Sequence, residues 1–159
     1  MGLNHASIGG NRKYHQGIFT ANNPHKYVGD PNNIVYRSSM EKKFCHYCDN
    51  NEQITKWGCE VIIIPYLDHT GKIHRYFPDF YMEVNYPGNK TKYNKFIIEV
   101  KPYAETLMPV YPTKPTAQRI KNFVYQLTMY RKNIYKWAKA VEWCKSRDMI
   151  FQIITEKNL

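Results

Sequence analysis

At 159 residues the chain is long enough to bury one hydrophobic core and too short for two comfortable domains. A hydrophobic share of 43% with 14 Tyr, 7 Phe and 3 Trp excludes wholesale disorder. Against 13 Asp and Glu stand 23 Lys and Arg, a formal net charge of +10 and a pI near 9.4, which points to polyanions and to nucleic acid first among them.

The N-terminus carries no apolar run resembling a signal peptide, and the longest aliphatic stretch, Val61 to Ile64, is far short of a membrane span, so no membrane partner is expected. Four cysteines without an export signal are expected to stay reduced. Cys45 and Cys48 form a C-x-x-C, but further zinc ligands would have to come from Cys59, Cys144 or scattered histidines. Small apolar residues on a helix face explain the pair better, and no structural zinc is expected.

In chain order, residues 1–33 are poor in aliphatics and rich in Asn, Gly, His and Lys, with isolated aromatics at Tyr14, Phe19 and Tyr27. They read as an extended basic arm ordered on a partner, ahead of a domain over 34–159. The turn chemistry of GDPNN at 29–33 closes the arm. A helix follows from Ser39 to Asn50, where Met40, Phe44, Tyr47 and Cys48 recur at helical spacing and Ser38 with Glu41 makes a capping box.

From Trp57 to Asp68 runs the β-rich WGCEVIIIPYLD, then a DHTG turn, then a second strand through KIHRYFPDFYMEV with Phe80, Met82 and Val84 alternating. NYPGNKTKYN reads as a loop and KFIIEVKPY as the third strand. Pro102, Pro109, Pro112 and Pro115 punctuate a connection, after which Ile120, Phe123, Val124 and Leu127 mark an amphipathic helix. Ile134, Trp137, Val141 and Cys144 continue as a second helical stripe, and DMIFQIIT closes as a strand. Helix, three strands, one or two helices and a strand give a small α/β domain, a mixed sheet with helices on its faces.

The third strand poses the chemical question. Side chains alternate across a strand, so Glu99 and Lys101 share one face of an otherwise apolar run. A buried charge is costly unless paired or bound to a metal, so the two form either a structural ion pair or part of an active site. Asp79 follows Pro78 in the preceding strand and reaches Glu99 if the two strands are neighbours. Two carboxylates held together repel unless a cation sits between them, and oxygen ligands with water suit Mg²⁺. A lysine alongside would stabilise charge developing on a phosphate. At 100° per residue Glu41 lies within about 60° of Phe44, Cys45 and Cys48, on the buried stripe of its helix, so both capping and a part in the site stay open.

P-D at 78–79 and E-V-K at 99–101 resemble the PD-(D/E)xK signature of the restriction-endonuclease-like nucleases. VYRSSMEKKFCHYCD, EVIIIPY, KIHRYFPDFYMEV, FIIEVKP and FQIITEKNL extend the likeness over roughly 25–159. They resemble the head completion proteins of large contractile-tailed phages, nucleases related to the TnsA-like transposase endonuclease subunits. The resemblance implies a restriction-endonuclease-like core, with Glu41, Asp79, Glu99 and Lys101 as catalytic residues. It implies Mg²⁺, with Mn²⁺ substituting, held by Asp79, Glu99, the Val100 carbonyl and Glu41. One metal and two are equally compatible. It implies an endonuclease acting on double-stranded DNA as a head completion protein before tail joining, in the host cytoplasm or the virion head, with portal or neck proteins as further partners. A structural virion protein without turnover, and a free repair or junction-resolving nuclease, are the alternatives.

Arg119, Lys121, Arg131, Lys132 and Lys136 crowd the later helices, and Arg12, Lys13 and Lys26 the arm. All eight are candidates for tracking a DNA backbone with steep salt dependence, though a solvated helix face explains any one of them. Gln126 and Tyr130 form a Q-x-x-x-Y reminiscent of exonuclease relatives, for which simple packing of the Tyr is the plainer account. Glu60 reads as a strand-edge acid.

Overall fold

The computed structural model describes residues 16–88 and 94–159, so Arg12 and Lys13 of the expected arm and the middle of the expected 85–94 loop lie outside it. Strands are β1 (Gly17–Phe19), β2 (Ile34–Tyr36), β3 (Ile54–Cys59), β4 (Ile64–Leu67), β5 (Ile73–Tyr76), β6 (Phe80–Val84), β7 (Lys95–Val100) and β8 (Ile150–Ile154), with helices α1 (Ser39–Asn50) and α2 (Ala117–Lys145). The main sheet has the order β3-β6-β7-β8, antiparallel except for the parallel β7–β8 pair.

Alternation along the sheet divides the core in two. Phe80, Met82, Val84, Ile98 and Val100 pack in one cluster with Phe44, Cys45 and Cys48 of α1. Tyr81 and Ile97 pack in the other with Trp137, Ala140 and Cys144 of α2. Each sheet face is therefore covered by one helix, the mixed α/β architecture that the sequence leads one to expect. The C-x-x-C thiols of Cys45 and Cys48 are part of the apolar packing beneath α1.

Three expectations change. First, the two long β-rich runs are each two strands. β3 ends at Cys59, just before Glu60, whose φ of 49° turns the chain, and β5 is separated from β6 by Phe77, Pro78 and Asp79. Pro78 has no N–H to give to a ladder, so pairing stops there. The outer pieces, β4 and β5, pair with each other in a hairpin of their own.

Second, residues 16–33 are not an arm but part of the domain. β1 pairs with β2, and Phe19 is buried against Trp57. The Asp49 carboxylate accepts from the Asn22 and Asn23 N–H groups at 2.7 and 3.0 Å. Lys26 donates to the carbonyls of Cys48, Asp49 and Asn51 at 2.9, 2.8 and 2.8 Å. The segment docks by polar groups that satisfy the C-terminus of α1, which is why its low aliphatic content misleads.

Third, the first helical stripe is not packed: α2 is one continuous helix of 29 residues, one of the two readings open from the sequence, and at about 43 Å it overruns a sheet whose five-residue strand β8 spans about 17 Å. Only Asn133, Trp137, Ala140 and Cys144 of it are buried. Ile120 and Val124, expected on a packed stripe, are exposed, and the partly buried Phe123 meets the Tyr111 ring edge-on at 5.3 Å.

Candidate active site

The β6–β7 register pairs Phe80 with Ile98, and one step further along it stand Asp79 and Glu99. The Val100 N–H donates to the Asp79 carboxylate at 2.7 Å, and the Asp79 carbonyl accepts from the Glu60 N–H at 3.0 Å. Asp79 is thus held by both flanking chains at the end of the sheet. Glu99 is 3% exposed. Its carboxylate accepts from the Tyr76 hydroxyl at 2.6 Å on one oxygen and faces the Lys101 ammonium at 3.6 Å on the other. The Lys101 N–H donates to the Ile154 carbonyl of β8, so the EVK turn is anchored while the lysine side chain keeps partial access to solvent.

Crowded negative charge marks this corner. Asp79 is pushed up to about 7, first by burial and then by the Glu99 charge, with Glu41 adding to the rise; the Val100 N–H and Lys101 act against it. The Tyr76 hydroxyl is pushed well up by burial and by Glu99. Burial lowers the Lys136 ammonium, which α2 brings to within 4.5 Å of the Tyr76 ring centroid, while Glu99 pulls it back up. A cation between Asp79 and Glu99 would relieve the repulsion, and two carboxylates, with the Val100 carbonyl as a candidate third oxygen, would make the hard donor set that suits Mg²⁺. Among the described residues no three His, Cys, Asp or Glu side chains stand close enough to hold an ion by themselves. The remaining ligands would be water and substrate phosphate, as is usual for Mg²⁺.

Glu41 does form the expected capping interactions. Its N–H donates to Ser38 Oγ at 3.1 Å, while its carboxylate accepts from the Ser38 hydroxyl at 3.0 Å and the Arg37 N–H at 2.8 Å. The carboxylate is close enough to Asp79 to raise its pKa but does not join it and Glu99 in a three-acid cluster. Capping alone accounts for its position, and any contact with a shared ion would run through water.

Two residues of this corner have no local signature. Tyr76 becomes visible only once β5 is seen to end beside Glu99. Arg37 forms a two-pronged pair with Glu60, at 3.0 and 2.9 Å, and lies in the field of Glu41 and Asp79. Glu60, expected as a plain strand-edge acid, is therefore neutralised at the rim of the site.

The cations divide. At 100° per residue Lys121, Lys132 and Lys136 fall within about 60° of one another on α2, whereas Arg131 and Arg119 point away from that face. The Arg119 guanidinium donates to the Lys114 carbonyl at 2.9 Å. Lys26 is removed from the DNA-tracking set. It is 8% exposed and its ammonium is spent on three carbonyls. Tyr130 is half-buried and Gln126 exposed.

Residues 51–156 match the family model described as TnsA-like endonuclease N terminal. Over 146 residues the chain is 36% identical to the head completion nuclease of Enterobacteria phage T4, an alignment that covers 91% of this chain and 93% of that protein. No solved structure gives a significant match.

Proposed function

Since the chain belongs to the TnsA-like endonuclease family, with its restriction-endonuclease-like fold, we propose that it is a divalent-ion-dependent endonuclease that hydrolyses phosphodiester bonds of double-stranded DNA. The observation that carries this reading is the meeting of Asp79 and Glu99 at one end of β6 and β7 with Lys101 beside Glu99. A purely structural ion pair would need no second carboxylate pressed against it.

Asp79, Glu99 and the Val100 carbonyl would hold Mg²⁺, or Mn²⁺ in its place. When bound, that ion supplies a Lewis acid to the scissile phosphate. Lys101 orients the attacking water and offsets negative charge gathering on the phosphate oxygens. Glu41 supports the site either by positioning Lys101 or by reaching a second ion through water. Lys121, Lys132 and Lys136 line one side of α2 and track the DNA backbone, which makes binding steeply salt-dependent. Arg119 and Arg131 reach outlying phosphates. The name of the phage T4 relative extends the reading to head completion. On that reading the chain acts on packaged DNA before the tail joins, in the host cytoplasm or at the virion head, alongside portal or neck proteins.

The test is cleavage of linear and branched duplex DNA in Mg²⁺ by the parent, Lys101→Ala and Asp79→Asn, all confirmed folded. Cleavage by the parent that disappears in EDTA and in both variants supports the reading. A parent that binds DNA without cutting it, indistinguishably from the two variants, would sink it in favour of a structural DNA-binding role.

A further inference from the structure

Tyr76 is the last residue of β5, 3% exposed, and it meets the site with two chemically distinct parts. Its hydroxyl donates to Glu99 Oε2 at 2.6 Å, while Lys101 faces Oε1 at 3.6 Å. With a donor on each oxygen the buried carboxylate has one orientation. The Tyr76 ring carries the Lys136 ammonium 4.5 Å from its centroid. An ammonium lying on a π face is held electrostatically and keeps donors directed away from the ring. No carboxylate pairs directly with the Lys136 ammonium among the described residues, although Glu99, Lys101, Asp79 and Lys132 all lie in its field. A half-buried ammonium with no direct acid partner, beside a second lysine whose one carboxylate is shared with a tyrosine, keeps donors for an anion.

Resting on the nuclease reading above, we propose that Tyr76 is the positioning residue of the site. Through its hydroxyl it fixes the Glu99 carboxylate for the divalent ion. Through its ring it seats Lys136 to receive a phosphate of the bound DNA strand beside Lys101. A hydroxyl that merely finds a partner in the interior would account for the first contact but not for the second, which brings a lysine of α2 to the same ring. The hairpin that breaks from the main sheet before Pro78 thereby gains a purpose: it delivers Tyr76 three residues ahead of Asp79.

The two parts separate by substitution. Tyr76→Phe removes the hydroxyl and keeps the ring; Lys136→Met removes the charge and keeps the stem. Titrating Mn²⁺ by its EPR signal, without DNA, Tyr76→Phe should bind about 10–100-fold more weakly than the parent, the usual effect of losing a partner of a metal ligand. Its affinity for duplex DNA in EDTA should stay within about twofold of the parent's, since the ring and Lys136 remain. Lys136→Met should reverse the pattern. Mn²⁺ affinity is kept, DNA binding is weaker, and the slope of log affinity against log salt is smaller by about one.

Tyr76→Phe with the parent's Mn²⁺ affinity would overturn the positioning role, and Lys136→Met with the parent's DNA affinity and salt slope would overturn the phosphate seat. Asp79→Asn separates these failures from that of the nuclease reading. A parent whose Mn²⁺ binding is absent, or unaffected by Asp79→Asn, removes that reading and this proposal together. Binding lost in Asp79→Asn but intact in Tyr76→Phe removes this proposal alone. Lys136→Met reports independently should the phenylalanine variant not fold.

Discussion

The Val100 N–H donates to the Asp79 carboxylate over 2.7 Å, so the strand that carries one acid of the site also orients the other. That bond favours the charged form of Asp79. Burial and the neighbouring Glu99 charge act in the opposite direction and prevail, leaving Asp79 near 7. Without a cation the folded protein therefore carries an electrostatic cost at the candidate site, a pattern expected where stability yields to function.

The pH dependence of stability follows. In the unfolded chain Asp79 releases its proton near 3.8, and in the cation-free folded protein near 7. Between those values the folded state binds more protons than the unfolded state, so the unfolding free energy falls as pH rises and the cost is complete above about 7. Urea unfolding in EDTA should show the parent losing on the order of a few kcal/mol across this window relative to Asp79→Asn, in which the slope is absent. Millimolar Mg²⁺ at pH 8 should recover part of the loss in the parent alone. Parallel curves for the two proteins in EDTA would contradict the assignment.

Capping and chemistry at Glu41 can be told apart by two substitutions. Ser38→Ala removes the hydroxyl that both accepts from the Glu41 N–H and donates to its carboxylate, and should lower stability by about 1 kcal/mol. Glu41→Gln preserves a capping-box partner and should stay within about 0.5 kcal/mol of the parent. It also removes a negative charge felt by Asp79. If Glu41 also reaches an ion through water, as proposed, DNA cleavage by Glu41→Gln should fall while its unfolding midpoint hardly moves. Full activity in that variant would reduce Glu41 to a cap.

What could be read from the sequence was what repeats locally. The α1 stripe apart from the exposed Tyr47, its Ser38 cap, the alternation of Phe80, Met82 and Val84, and the EVK face are short-range patterns, and these stand in the structure. What could not be read depends on partners distant in the chain. Tyr76 meets Glu99 across 23 positions, and Arg37 meets Glu60 across the same number, with no motif to signal either. The docking of residues 16–33 was hidden because polar atoms do the work there, and hydrophobic periodicity is blind to a lysine that caps a helix. The Ile120 and Val124 stripe misled for the converse reason. It has helical amphipathicity but no sheet beneath it.

Lys26 illustrates how a basic residue can belong to the fold rather than to the ligand. Its ammonium gathers three carbonyls at the C-terminus of α1, where the helix dipole is negative and the carbonyls lack intrahelical donors. Lys26→Met leaves those oxygens without their shared donor and should cost about 2–3 kcal/mol by chemical denaturation. DNA affinity of the folded variant, measured well below its melting temperature, should equal the parent's. Lys132→Ala should behave oppositely, with unchanged stability and a shallower salt dependence of DNA binding. A loss of DNA affinity in folded Lys26→Met would restore it to the interface.

The first half of α2 should be the least protected helix of the domain. None of residues 117–132 is buried, whereas Asn133, Trp137, Ala140 and Cys144 lock the second half onto the sheet. A helical stretch of about 16 residues without tertiary support is marginal in water, held here by continuity with the anchored half and by the Thr116 cap. Amide hydrogen exchange should therefore run at least about 10²-fold faster over 118–131 than over 134–144, because local opening there exposes little apolar surface. Duplex DNA should slow exchange in the first half if Lys121 and Lys132 engage the backbone, since a bound phosphate favours the helical geometry that sets the two lysines on one face. Equal protection of both halves in the free protein would mean that Ile120 and Val124 are covered in solution, and sedimentation would then show whether a second copy covers them.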